Sequence, residues 1–498
     1  MTYTPDAPGL IHGSAEHYDL VVIGAGPAGE KGAAQAAYFG KKVCIIERAP
    51  KPGGAAVNTG TIPSKALRET ALYFSGLRQK GLYGVDIHVK RDITISDFMY
   101  RERSVIEAEW ALIAENLAKH GIATVQGSAK FTDANTVEVT RYGQAPRYIT
   151  ADYFLIATGS SPQQPLDVAV DGSVIVDSDT LLTLDRIPQQ MIVIGGGVIG
   201  CEYACTFAAL GVRVTIVNSR SRLLAHLDAE VSETLRQLMT SRLGISVHVN
   251  SETTNIVVDD KRAHVTLTDD TVLSSDVVLF SAGRVGNSQG LGLEGLGIRT
   301  NARGYLSVDA QYRTSQHNIF AAGDVIGFPA LASTSMEQAR VAVCNAFDLK
   351  YKQQVASVLP YGVWTIPEIA TVGESEEQLM QRGVAFEVGR SNFRLNPRGQ
   401  IVGEVDGFIK LLFHPDDQRL LGVSIIGEGA CELIHIGAAA IAFGATLDYF
   451  IQAVFNYPAM SDAYKYAAYD GLGALSRRAS RARGLPSSGG GMRAVTAE

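Results

Sequence analysis

Gly24, Gly26 and Gly29 stand directly behind the apolar run Leu20-Val21-Val22-Ile23, in the order G-x-G-x-x-G. The chemistry of that spacing is phosphate binding. The first glycine permits a tight turn, the second lets a pyrophosphate approach the backbone, and the third lets the next helix pack on the strand. That helix begins with N–H groups that have no partner inside it, and these suit phosphate oxygens. Glu47 closes the following apolar run, where an acid accepts hydrogen bonds from ribose hydroxyls. The pattern then returns. Gly195, Gly197 and Gly200, with Val198 and Ile199 between the last two, follow the run Met191-Ile192-Val193-Ile194. Two dinucleotide cradles imply two dinucleotides, and electron transfer between a flavin and a nicotinamide is the simplest reason to hold both.

The second copy departs from the first at its ribose end. Asn218 replaces the acid, and Arg220 and Arg222 follow. A carboxylate would repel a 2′-phosphate. An asparagine still bonds a 2′-hydroxyl, and arginines pair with a phosphate. This site is therefore expected to take both NAD(H) and NADP(H). The competing reading is that the arginines are solvated loop charges.

These residues need strand–turn–helix–strand units to carry them, and the punctuation of the chain supplies such units. Thr158-Gly159, followed by Ser160, and Ala282-Gly283 each end an apolar strand, as at crossings into and out of a second nucleotide domain. Asp324 follows a short strand and a glycine, where it can hold the ribityl hydroxyls of a flavin. The next helix, from about Leu331 and Ala332, would aim its N-terminus at the flavin ring.

A chain of 498 residues is long enough for about three domains. Its 46% hydrophobic and 19% charged residues fit a soluble globular protein. A net charge of −7 argues against nucleic acid as the main partner. The N-terminus lacks the basic start and apolar core of a signal peptide, and the run 433–445 is too short to span a bilayer. The reading is cytoplasmic, with no membrane. Five scattered cysteines argue against a disulfide framework or a zinc site, so no metal is expected.

GAGPAG, GG…IPSK, ATGS, GGGVIGCEYA, SAGR and TSQHNIFAAGD occur in the order found in the flavin disulfide reductases. The chain resembles that family over roughly residues 18–473, and NTGTIPSKALRE, VNSRSRLL and FNYPAMSDAYKYAA are most similar to its soluble pyridine nucleotide transhydrogenase subgroup. The resemblance implies an α/β fold with two Rossmann-like domains, for FAD and NAD(P), and a C-terminal α+β dimerisation domain. The expected boundaries are 1–17 for an N-terminal extension, 18–160 with 288–350 for FAD, 161–287 for NAD(P) and 351–474 for the interface domain. A disordered tail is expected over 475–498. The resemblance further implies a homodimer, with higher assembly left open, and one FAD per subunit.

In that family two cysteines behind a glycine pair relay electrons to a disulfide. Here Gly53 and Gly54 are followed by Ala56 and Thr61 in those places. Tyr457 stands where the family has a catalytic histidine, with Asp462 in place of the glutamate that orients it. Alanine has no nucleophile, the threonine hydroxyl is too basic for disulfide exchange, and tyrosine, with an ordinary pKa near 10, is a poor base at neutral pH. By resemblance, Lys65 and Glu202 form the pair beside flavin and nicotinamide. The reaction expected is ping-pong hydride transfer between NADPH and NAD⁺ through the flavin. The alternatives are an NAD(P)H:quinone or dye reductase of the same fold and a flavin-bound sensor with vestigial turnover.

Overall fold

The computed structural model describes residues 16–76, 93–165 and 168–482, and they fall into two compact units. The first unit comprises Met1–Ala66, Met99–Gln163 and Gly283–Val355. Its sheet runs in the order Ala123–Gln126, Val43–Glu47, Glu16–Ile23, Arg147–Ile156, Thr136–Thr140 and Ser128–Asp133, and Ile319–Ala321 also pairs with Arg147–Ile156. The central pairings are parallel, and the hairpin over 128–140 joins them antiparallel.

The apolar run that opens the chain explains its central position. Leu20 and Val22 belong to one core cluster and Val21 and Ile23 to another. A strand with both faces buried needs an unbroken apolar run rather than an alternating one. Helix Pro27–Tyr38 follows, entered through Gly26 with a proline in its first turn. Proline suits that position because its missing N–H would have no partner there.

The second unit comprises Leu67–Phe98, Gln164–Ala282 and Ala356–Glu498. It repeats the motif in an all-parallel sheet ordered Ser246–His248, Arg213–Val217, Gln190–Ile194, Val277–Phe280 and Ile175–Val176. A three-stranded antiparallel sheet over Thr253–Ser275 follows the last helix of the motif. The C-terminal part is a five-stranded antiparallel sheet, ordered Tyr361–Val363, Ile369–Gly373, Leu420–Ile426, Phe408–Phe413 and Glu387–Asn392. Helices Ala430–Ala442 and Ala463–Ala482 pack on it around Phe450 and Tyr464, whose rings stack at 5.3 Å. The fold is thus α/β with two Rossmann-like sheets and a C-terminal α+β domain.

One boundary needs correction. The sequence reading begins a disordered tail at 475, but helix Ala463–Ala482 runs on past it. Ala474 is buried, and Arg478 donates to Glu387 at 3.0 Å. The alanines and arginines of the stretch are good helix formers, which extends the helix beyond its last buried turn. The rest of the expected tail, and most of the expected N-terminal extension, lie outside the described residues.

Both glycine turns are sterically closed at their third glycine. A methyl added at Gly29 would lie 1.9 Å from the Gly24 oxygen, and one at Gly200 would lie 2.0 Å from the Gly195 oxygen. At Gly197 an added methyl would meet nothing within 4 Å. Gly200→Ala should therefore lower stability by about 1–3 kcal/mol, the usual range for overpacking, and Gly197→Ala should not. Urea midpoints of the two variants check this.

Candidate functional site

In the first unit, Gly24 takes a φ of +103°, the left-handed turn that only glycine adopts without strain. Gly26 caps helix Pro27–Tyr38 with no side chain to occupy its first N–H groups. Glu47 reaches back to this turn. Its carboxylate accepts from Ala25 N at 2.7 Å and from Ala49 N at 2.8 Å. Each oxygen keeps a lone pair for a ribose hydroxyl, and the acid also shapes the turn, which sequence reading did not anticipate.

Gly53 and Gly54, both at positive φ, bring the next segment onto the same turn, with Gly53 N donating to Ala25 O at 2.8 Å. A methyl on Gly54 would stand 2.8 Å from Gly26 Cα, so the two backbones meet directly. Ala56 lies on the short helix Gly54–Asn58, and Thr61 begins helix Thr61–Phe74. Lys65 sits one turn further along, with Nζ donating to Ser64 Oγ at 3.2 Å.

The strand-end residues converge as well. Asp324 Oδ2 accepts from Ser160 Oγ at 2.9 Å. Arg284 donates to Ser160 Oγ at 2.8 Å and to its carbonyl at 2.7 Å. Thr158 and Asn287 exchange hydrogen bonds at 2.7 and 2.9 Å, and Asn287 N donates to Gly159 O. Sequence reading missed Arg284 and Asn287, although both lie in the SAGRVGN motif that ends with this clasp. Gly283 precedes them at a φ of +147°. Leu331 is the N-cap of helix Ala332–Ala346, again with no capping side chain.

In the second unit, Gly195 repeats the turn at a φ of +112°, and Gly197 caps helix Val198–Ala209, whose first turn holds Val198, Ile199 and Gly200. Asn218 occupies the position of Glu47. Its Oδ1 accepts from Gly196 N at 3.1 Å. Its amide nitrogen donates to the carbonyls of Arg220, at 2.8 Å, and Arg222, at 3.2 Å. Both turns present an N–H to this side chain, but the loop after Glu47 adds a second N–H, from Ala49, where the loop after Asn218 adds two carbonyls. Asn218 is buried and holds the loop that follows, and its side chain is largely committed to that loop.

The two arginines differ. Ser219, Arg220 and Ser221 are exposed. Arg222 is folded back: it donates to Ala225 O at 3.1 Å, to Leu227 O at 3.2 Å and to Glu377 Oε1 at 3.2 Å. The loop ends at Asp228, which caps helix Ala229–Leu243 and receives the buried Lys410 ammonium at 2.9 Å on both oxygens. Burial, and then the charge of Arg220, hold His226 below its ordinary pKa.

Glu202 is buried on helix Val198–Ala209 and accepts from Trp364 N at 2.9 Å. Arg68 holds the same segment one residue further on, its Nε donating to Thr365 O at 3.0 Å. Arg68 is itself buried and pairs with Glu428 at 2.7 Å and Glu69 at 3.0 Å. Nothing in its local spacing marked it. Lys65 and Glu202 lie in different units. Tyr457 is 72% exposed and Asp462 is buried.

All five cysteines are free and buried. Burial pushes the Cys44 and Cys205 thiols up to about 12 and raises those of Cys201, Cys344 and Cys431. No thiol of the chain is poised as a nucleophile. Among the described residues no group of metal-ligating side chains is assembled, and no helix is long and apolar enough to cross a membrane.

Two outcomes are expected. A thiol of pKa near 12 is ionised to roughly one part in ten thousand at pH 8, so iodoacetamide should find no fast-reacting cysteine until the protein is denatured. Asn218→Asp would set a carboxylate against two carbonyls. It should cost about 1–3 kcal/mol, the penalty for a buried acceptor without a donor, and raise the KM for NADH and NADPH together rather than for NADPH alone.

The comparisons agree with this geometry. Residues 18–345 match the model of the pyridine nucleotide-disulphide oxidoreductases, and residues 359–468 match the dimerisation domain of the same group. The chain is 41% identical over 454 residues to a soluble pyridine nucleotide transhydrogenase of Mycobacterium bovis, covering 91% of this chain and 97% of the relative. It is 40% identical over 462 residues to one of Azotobacter vinelandii, covering 92% and 99%. Among solved structures, LpdA of Mycobacterium tuberculosis aligns with a TM-score of 0.84 at 28% identity, over 91% of this chain and 99% of that one. The HOCl-induced flavoprotein disulfide reductase RclA of Escherichia coli aligns at 0.80 with 26% identity, over 90% and 98%. With its glycine turn repeated in both units and both family models matched in order, the chain belongs to the pyridine nucleotide-disulphide oxidoreductase family.

Proposed function

We propose that the chain is an FAD-dependent soluble NAD(P)⁺ transhydrogenase that moves hydride from NADPH to NAD⁺. The observation that carries this reading is the loss of sulfur chemistry from a fold that keeps both nucleotide cradles. Ala56 and Thr61 hold the places of the family's reactive cysteines, and every thiol of the chain is buried with a raised pKa. Relatives about 40% identical over nearly their whole length carry the same activity in their names.

The residues of the first unit fit FAD. The turn through Gly24, Gly26 and Gly29 leads into a helix start with no capping side chain, open to a pyrophosphate, Glu47 retains lone pairs for ribose, and Asp324 stands beside Ser160 for the ribityl chain. FAD, when bound, supplies a hydride relay between one nicotinamide and the next. The protein contributes alignment and charge. Lys65 supplies positive charge on the flavin side, and Glu202, fixed by Trp364 N–H, lines the nicotinamide side. Gly195, Gly197 and Gly200 receive the nicotinamide dinucleotide, and Arg220 reads the 2′-phosphate. One nicotinamide site serving two substrates in turn makes the exchange ping-pong. Each subunit holds one FAD, and residues 351–474 join two subunits in a homodimer in which Tyr457 and Asp462 play no acid–base part.

Anaerobic rapid mixing tests the reading. The FAD-loaded protein reduced by NADPH should pass its electrons stoichiometrically to added NAD⁺ within the turnover time. Fast reoxidation by a quinone with none by NAD⁺ would identify a quinone reductase instead. Arg220→Ala removes a charge-assisted hydrogen bond worth about 1.5–3 kcal/mol. It should raise the KM for NADPH roughly tenfold to a hundredfold and leave that for NADH within about twofold.

A further inference from the structure

Arg222 and Glu377 form an ion pair with spare capacity on both sides. Arg222 Nη1 donates to Glu377 Oε1 at 3.2 Å, a single contact rather than the two-pronged pairing that arginine and carboxylate prefer. Arg222 Nε and Glu377 Oε2 are each buried without a hydrogen-bond partner. The side chains are 29% and 42% exposed, so this is a surface pair, cheap to break. The backbone of Arg222 is meanwhile fixed at the cradle. Its carbonyl is held by Asn218, whose Oδ1 caps the Gly196 N–H, and Leu224 N donates to Gly196 O at 2.9 Å. Glu377 lies on the short helix Glu376–Gln381 of the C-terminal part, where Ser375 and Gln378 form a capping box, and it also accepts from Ala229 N at 2.9 Å. A guanidinium rooted beside the ribose-end position is thus drawn aside by a carboxylate from a distant segment of sequence, while the Ala225 and Leu227 carbonyls hold its other terminal nitrogen.

A site that serves two nicotinamides in turn has a particular requirement. It must release NADP⁺ readily, because this first product leaves before NAD⁺, the second substrate, enters the same site. A second arginine fixed on the 2′-phosphate would tilt the site permanently toward NADP(H). An arginine with an alternative partner avoids this. With NAD(H) bound, its charge stays paired, and with NADP(H) bound, the phosphate must compete with a carboxylate. We propose that Glu377 is a positioning residue that sets the balance between NADP(H) and NAD(H) by holding Arg222 back from the 2′-phosphate, so that Arg222 exchanges one anionic partner for another when NADP(H) binds. The proposal rests on the reading of the second glycine turn as the nicotinamide site.

The test uses the FAD-loaded full-length protein, with 2′,5′-ADP and 5′-AMP as probes in titration calorimetry. Glu377→Gln keeps an oxygen to accept from Ala229 N–H and removes the charge. It should tighten 2′,5′-ADP by roughly two- to fivefold, the fold-change that a surface ion pair sustains, and leave 5′-AMP unchanged. The KM for NADPH should fall with it. A purely structural role for Glu377 cannot produce tighter binding. Arg222→Ala combined with Glu377→Gln should abolish the gain. Glu377→Asp, which keeps the charge but retracts it by one methylene, should give a smaller gain and serves if the glutamine variant does not fold. Unchanged or weaker 2′,5′-ADP binding in both Glu377 variants, with Arg220→Ala still impairing it, overturns the proposal while sparing the nicotinamide site. Failure of the wild-type protein to bind either probe overturns the nicotinamide reading and the proposal together.

Discussion

Each glycine turn in this chain is tied down by one hydrogen bond, from the N–H that follows the first glycine to the polar side chain at the end of the second strand. In the first unit the pair is Ala25 and Glu47, and in the second it is Gly196 and Asn218. The bond ties the turn to the adjacent strand and fixes where a phosphate could lie. The rest of that side chain then decides what the following loop must look like. A carboxylate has only acceptors and so gathers an N–H, from Ala49. A carboxamide has a donor end and so gathers carbonyls, from Arg220 and Arg222. One change of side chain thereby turns the loop's peptide groups around and sets which arginine faces solvent.

That constraint explains how the two halves of one sequence pattern come to differ. The glycine spacing, the apolar strands and the helix entry are the same in both. The difference lies in the residue after the strand and in what the loop is fastened to. In the second unit the loop is fastened at Arg222 by Glu377 and at Asp228 by Lys410. Both partners come from the C-terminal part of the chain. Glu202 is likewise held by the Trp364 N–H, and Arg68 bonds the Thr365 carbonyl one residue further on.

The features legible in the sequence are those that local pattern encodes. The glycine turns, the strands behind and beyond them, Asp324 after its short strand and the helix starting at Leu331 all follow from apolar runs and turn residues read over a few positions. What was not legible depends on partners far apart in the chain. Arg222 and Glu377 are 155 residues apart, and Arg68 and Glu428 are 360 apart. No periodicity marks such a pair, so the Glu377 partner of Arg222 and the whole of the Arg68 cluster went unnoticed. The C-terminal helix misled for the opposite reason. Its basic, weakly apolar last turns resemble a solvated tail by composition, although alanine and arginine propensity carries the helix on to Ala482.

The burial of all five sulfurs has a consequence beyond the missing disulfide chemistry. Oxidative damage to cysteine starts from an accessible thiolate that peroxide converts to sulfenic acid. This chain exposes none. Hydride exchange between nucleotides needs no thiol, so this route of damage reaches no step of it.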